Sequence, residues 1–239
     1  MRICWLQSDD APDAFPPVEL ALTEPNGLLA AGGDLSPERI LCAYRAGIFP
    51  WFESGQPILW WSPDPRCVLR PERFHAAARL RRSARSAGFE LTFNRACAEV
   101  IDACAERRRG QTGTWITKEM KQAYLGLHAS GWVHSVEVWQ GQRLVGGIYG
   151  LASGAVFFGE SMFSRVTNAS KIAVMALCHV LARQAFLLLD CQVASPHLMS
   201  LGAELLQRSE FSRLLAGANR SPLQAAFWPD NRLPAAEFL

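Results

Sequence analysis

Between residues 118 and 193 the hydrophobic pattern changes period three times, and no other feature constrains the fold as tightly. Residues 118–129 put Met120, Tyr124 and Leu127 on one helical face, with Thr117 as a cap and Gly131 as a stop. The period then drops to two across 133–139 and 144–150, with a turn at Gln140-Gly141-Gln142. Ser153-Gly154 turns again, and 155–162 reads as a third strand. This is an antiparallel meander. Asn168 or Ser170 opens a long helix through about residue 186, and the apolar run 187–193 follows as a short strand. A strand reached through a helix can lie parallel to the one before it. Meander, helix and parallel strand together predict an α+β fold.

The flanks are less periodic. Residues 1–65 are rich in Pro and Gly and predict a small, loop-rich N-terminal domain, leaving 66–239 as the larger domain. One helix stands out in the first part. Ser36 suits an N-cap, Pro37 the first turn, and Gly47 the left-handed residue after the helix, with Ile48 packing back. Further on, 74–86 and 95–108 predict helices, and 90–93 a strand between them.

Composition excludes several classes. The 239 residues include eight Trp, and 49% are hydrophobic, so disorder over most of the length is excluded. No apolar run approaches the roughly 20 residues that span a bilayer. Asp9 and Asp10 come too early for a secretory leader, which makes the cytoplasm the expected location. The seven cysteines are scattered without C-x-x-C, and the five histidines have no zinc spacing, so neither a disulfide framework nor a metal is expected. Net charge is only +2, yet residues 66–109 hold eleven arginines against five acids. That zone is either a solvated surface or a face that touches a polyanion.

Three polar residues fall in the most apolar stretch. Glu160 ends the third strand, either lining a cleft or pairing with Arg165. Asp190 and Gln192, two apart in a strand, are expected on one face, bonded to each other or to a ligand. Gly146-Gly147-Ile148-Tyr149-Gly150 lies within a strand and is no dinucleotide loop. Ser161 lacks the second glycine of a nucleophile elbow. The meander–helix–strand order resembles the acetyl-CoA N-acetyltransferase superfamily. Its pyrophosphate loop, [RQ]-x-x-G-x-[GA], reads here Arg165-Val166-Thr167-Asn168-Ala169-Ser170, without either glycine position kept. The scaffold is retained and an acyl-CoA site is not, so no cofactor is expected. The aromatics Trp51, Trp60, Trp61 and Trp115 fit either a core or a stacking platform for single-stranded nucleic acid.

Ordered blocks then carry a family resemblance. They are Asn26–Ala30 with Gly32-Gly33-Asp34-Leu35, Ala43–Trp51, Trp60–Arg66, Gly113-Thr114-Trp115-Ile116, His134–Trp139, Leu144–Gly147, Gly159–Arg165, Asn168–Lys171 and Asp190-Cys191-Gln192. Together they resemble the leucyl/phenylalanyl-tRNA–protein transferase family. The resemblance implies an N-terminal domain and a C-terminal acetyltransferase-like domain. It implies transfer of Leu or Phe, less readily Met, from aminoacyl-tRNA to proteins that begin with Arg or Lys, which are thereby marked for proteolysis under the N-end rule. It assigns Asp190 and Gln192 to catalysis, Asp190 polarising Gln192, with Glu160 attracting the cationic acceptor. It places Ile148, Phe157, Met162, Leu177 and Leu189 in an apolar aminoacyl pocket. Tyr44, Trp51 and Trp115, with Tyr124 and Ser161, fall near the adenosine and aminoacyl end. Arg79, Arg81, Arg82 and Arg85 are suited to the tRNA phosphates. The competing readings are an acyl-CoA-dependent N-acyltransferase and a non-catalytic RNA-binding module.

Overall fold

A computed structural model describes residues 3–106, 116–220 and 228–239. The first part builds a small sheet from β1 (Cys4–Leu6), β2 (Leu28–Gly32), β3 (Phe49–Pro50) and β4 (Leu59–Trp61), with α1 (Pro37–Arg45) between β2 and β3. The strand order is β1-β2-β4-β3. The expected loop-rich region thus holds four strands of two to five residues, too short to show a period of two. Helix α1 forms as its caps dictate. The Ser36 side chain accepts the Arg39 N–H. At the other end Gly47 takes φ +76°, and its N–H donates to Tyr44 O at 3.0 Å while Ile48 N–H donates to Ala43 O at 2.8 Å. That pair of bonds is a complete Schellman motif.

The rest of the chain forms β5 (Arg66–Leu69), α2 (Ala78–Ser86), β6 (Phe89–Phe93), α3 (Cys97–Ala105), α4 (Lys118–Ala129), β7 (Val133–Gln140), β8 (Arg143–Ser153), β9 (Val156–Ser164), α5 (Ala169–Arg183), β10 (Leu188–Gln192), α6 (Pro196–Met199), β11 (Glu204–Leu206), α7 (Arg208–Ala218) and β12 (Leu233–Pro234). The second sheet has eight strands in the order β11-β5-β10-β9-β8-β7-β6-β12. The expected meander is β7-β8-β9, and β10 lies parallel to β9, as the helix between them requires. The fold is α+β. Sequence periodicity did not reveal that β5, β11 and β12 extend the sheet at its edges.

Each face of this sheet carries its own core. Under α1, α3, α4 and α7 lie Tyr44, Tyr124, Phe158 and Phe211. Under α5 lie Ile148, Phe157, Leu177 and Leu189. Helix α5 approaches β8 closely because position 146 is glycine: a Cβ there would meet the Ala169 Cβ at 2.5 Å. The paired glycines of β8 therefore serve helix–sheet contact rather than phosphate binding.

Candidate functional site

Strands β9 and β10 pair through Leu188↔Val156, Leu189↔Phe157 and Asp190↔Phe158, and the ladder stops there. Both strands carry a bulge just beyond. Gly150 opposes Gly159 while Tyr149 opposes Ser161, so Glu160 is the extra residue of β9. Val68 opposes Asp190 while Cys67 opposes Gln192, so Cys191 is the extra residue of β10. Bulges end pairing and re-aim side chains. Here they turn Glu160 and Gln192 toward each other where the strands part, and Gln192 Nε2 donates to Glu160 Oε1 at 3.2 Å.

Glu160 sits among phenols. Tyr44 Oη donates to its Oε1 at 2.6 Å and Tyr124 Oη to its Oε2 at 2.9 Å. The two hydroxyls lie 2.5 Å from each other. Three contacts join these three groups, yet two phenols carry only two protons. With a third proton, on Glu160 Oε2, the ring closes in one sense: Glu160 donates to Tyr124, Tyr124 to Tyr44, and Tyr44 to Glu160 Oε1. Burial accordingly pushes the carboxyl up to about 7, against the lowering pull of both hydroxyls; the Asp190 charge raises it further and Arg66 lowers it. Burial, with the Glu160 charge next, also lifts Tyr44, Tyr124 and Tyr149 well above the ordinary phenol range. The cluster can therefore hold or release one proton near neutral pH at the carboxyl, and nowhere else among its members.

Two sequence expectations change. The Glu160–Arg165 ion pair does not form: Arg165 bonds Glu106 and Leu144 O, outside the network. Asp190 and Gln192 do not share a face through simple alternation, because Gln192 takes φ +62° in the bulge. Asp190 Oδ1 accepts the Gln192 backbone N–H at 2.9 Å, while the side-chain amide goes to Glu160. Polarisation of the Gln192 amide by Asp190 is replaced by control of its backbone. Asp190 is held in turn by Arg66, a residue that sequence reasoning counted only as surface charge. Arg66 Nε and Nη2 donate to the two carboxylate oxygens at 2.9 and 2.7 Å, and both side chains are wholly buried. The one available signal was its place at the end of the Trp60–Arg66 block.

The apolar residues Ile148, Phe157, Leu177 and Leu189 gather on the opposite face, with Met162 half-buried against them. Gly159 lies between the two groups. A Cβ there would sit 3.4 Å from both Leu189 Cδ1 and Asp190 O. Ser161 is half-buried opposite Tyr149, beside the bulge. Tyr44 is wholly buried, its ring edge-on to Phe158 at 4.9 Å and its hydroxyl on Tyr124 and Glu160. Trp51 is 45% exposed and packs on Trp61. Trp115, with Arg107–Thr114, lies outside the described residues. Helix α2 points Leu80 and Ala84 inward and leaves Arg79, Arg81, Arg82 and Arg85 in solvent. Among the described residues none of these four has a carboxylate partner; Arg81 Nε bonds Ala76 O. Asn168 Nδ2 ties the helix to the start of α5 through Ser83 Oγ at 2.8 Å.

Comparison with known proteins places this geometry. Residues 68–216 match the leucyl/phenylalanyl-tRNA protein transferase family, and residues 33–64 match its N-terminal domain. A leucyl/phenylalanyl-tRNA–protein transferase of Shewanella baltica (strain OS195) is 55% identical over 216 residues, covering 90% of this chain and 91% of the relative. Proteins of the same name from Chromohalobacter salexigens and Pseudomonas aeruginosa (strain PAO1) are 56% and 54% identical, covering 84% and 93% of their own lengths. With both family domains matched, and a relative 55% identical over 90% of this chain, the chain belongs to the leucyl/phenylalanyl-tRNA–protein transferase family of aminoacyltransferases.

Proposed function

We propose that the chain transfers Leu or Phe, and less readily Met, from aminoacyl-tRNA to the α-amine of proteins that begin with Arg or Lys, marking them for proteolysis. The supporting observation is the polar cluster at the parting of β9 and β10. It sets a buried carboxylate beside an amide, on the far side of the sheet from an apolar core. The donor ester is already activated, so the reaction needs alignment and a place for one proton. An α-amine has a reference pKa of about 7.7–8.0, which leaves a usable neutral fraction near pH 7. Its nitrogen attacks the ester carbonyl, the bond to the tRNA ribose breaks, and the ribose oxygen takes a proton as the amide forms. Gln192 Nε2 is committed to Glu160. The Gln192 carbonyl oxygen then accepts from the amine and aligns it. Ionised Glu160 attracts the cationic acceptor, and Asp190 sets the backbone from which Gln192 projects.

The same reading gives Ile148, Phe157, Met162, Leu177 and Leu189 the side chain of Leu or Phe. It gives Trp51 and Trp115 the adenosine end, with Tyr44, Tyr124 and Ser161 around the carboxylate. Arg79, Arg81, Arg82 and Arg85 take the acceptor-stem phosphates, and the absence of a carboxylate partner for any of them among the described residues supports this. A division at 65/66 into a small and a large domain goes with it; the two sheets lie on either side of that point. So does a cytoplasmic location, for which seven cysteines outside any disulfide are the support. The test is transfer of labelled Leu from Leu-tRNA to a peptide that starts with Arg, beside one that starts with Glu. Transfer to the first alone is expected; no transfer from any aminoacyl-tRNA overturns the reading. Calorimetry with acetyl-CoA should show no heat of binding.

A further inference from the structure

Arg66 links the end of α1 to β10. Its guanidinium spends Nε and Nη2 on the carboxylate of Asp190, and Nη1 on the carbonyl of Gly47 at 3.0 Å. Gly47 is the left-handed residue that ends α1, the helix carrying Tyr44. Asp190 fixes the Gln192 N–H inside the β10 bulge. The guanidinium itself is clamped between the rings of Phe49 and Phe211, at 4.8 and 4.7 Å from their centroids. One planar cation thus sets the end of α1 and the bulge of β10 in register. Those two elements bring Tyr44 and Gln192 to the same oxygen of Glu160, Oε1.

We infer that Arg66 is a positioning residue for the transfer step, aligning Gln192 and Tyr44 on Glu160 through Asp190 and Gly47. The inference rests on the assignment of Glu160 and Gln192 to the reaction. Lys cannot replace Arg here by charge alone, because an ammonium lacks the planar fork that grips a carboxylate and a third acceptor together. A purely structural pair would affect the folded fraction and leave turnover per folded molecule unchanged. A positioning residue lowers kcat of the folded enzyme and leaves tRNA affinity alone, since the exposed arginines of α2 are remote from this pair in the sheet order.

The test compares Arg66→Lys and Arg66→Gln with the wild-type enzyme in single-turnover transfer, with tRNA affinity and urea unfolding read on the same samples. Expected for Arg66→Lys is a fall in kcat of about tenfold, tRNA affinity within twofold, and cooperative unfolding. Arg66→Gln should fall further where it folds. A second readout is the acid limb of the kcat profile. The groups facing Glu160 are Tyr44 from α1, Tyr124 from α4, Tyr149 from β8, Gln192 and Asp190 from β10, and Arg66 from β5. Only Arg66 among them is cationic. Its loss in Arg66→Gln therefore moves the limb to higher pH, whereas Arg66→Lys leaves it near the wild-type position. Wild-type kcat in folded Arg66→Lys overturns the inference, as does a loss confined to tRNA affinity or to the folded fraction. An inactive wild-type enzyme would instead overturn the proposed function.

Discussion

The two faces of the parting strands β9 and β10 are built from opposite materials. On one, a buried carboxylate and two phenols form a hydrogen-bonded ring, to which the half-buried Gln192 amide donates. On the other, Ile148, Phe157, Leu177 and Leu189 form a dry core under α5. Both are buried, so burial alone does not separate them; what differs is the consequence of burial. For the apolar face it is stabilising, about 1.5–3 kcal/mol per large side chain. For Glu160 it opposes ionisation and lifts the carboxyl into the neutral range. A sheet with one such face of each kind can separate proton handling from size selection. Substitutions on one face should then change rate, and substitutions on the other should change which amino acid is used.

The hardest test of that division falls on the polar face. Gln192→Ala should lower single-turnover transfer about 100-fold or more, in the range of a positioned general acid–base contact, with tRNA affinity within twofold. Asp190→Ala should lose as much transfer and also about 3–5 kcal/mol of stability in urea unfolding, because it strands the buried Arg66 guanidinium. If Gln192→Ala lost equal stability, the two residues would be one structural unit and the faces would not differ in role.

How far this was legible beforehand depends on the length scale of each signal. The meander, α5 and the parallel β10 were read correctly because long periodic segments report burial directly. Strands β1 to β5 were invisible at two to five residues each. Glu160 and Gln192 were found as polar residues in apolar strands. Their mutual bond was not, because it depends on two bulges, and a single inserted residue leaves no mark on composition. Arg66 was missed for a related reason. An arginine in a basic stretch looks like surface charge until its carboxylate, 124 positions away, is known.

A pH series gives the next largest effect. The Glu160 carboxyl is raised from 4.5 to about 7 in the folded protein. The protonated form is therefore favoured by folding. Its contribution to stability is fully present below pH 4.5 and is lost as pH rises through 7. At 1.36 kcal/mol per unit the loss is on the order of 3 kcal/mol. Urea unfolding at pH 5 and pH 8 should show the wild type losing stability over that interval and Glu160→Gln losing much less. Transfer should run the other way, rising through pH 7 as the carboxylate forms and attracts the acceptor. If Glu160→Gln has the wild-type slope in both measurements, the polar face is titrated by some other group.

The apolar face is probed more gently. Ile148→Val removes one methylene from a side chain that is 5% exposed, at a cost of about 0.5–1.5 kcal/mol. The added room should favour Phe over Leu by roughly 1 kcal/mol, within the discrimination one methylene allows. Competition between Phe-tRNA and Leu-tRNA for one peptide reads this directly, with kcat for the better donor unchanged. A fall in kcat for both donors without a change in preference would mean that the dry core supports the polar face instead of selecting the amino acid.

The smallest effect lies outside both faces, on α2. Arg79, Arg82 and Arg85 are exposed and support neither core. Each Arg→Ala change should therefore leave stability within about 0.5 kcal/mol. Each residue that neutralises one phosphate should, when removed, reduce the slope of log affinity against log salt by about 1. The changes should add, because separate phosphates release separate counterions. Substituting all three should weaken tRNA binding at low salt and leave the preference between Leu and Phe untouched. A preference that moves with the arginines would couple the phosphate grip to the apolar face through Asn168, which bonds Ser83 of α2 and precedes α5, the helix that covers that face.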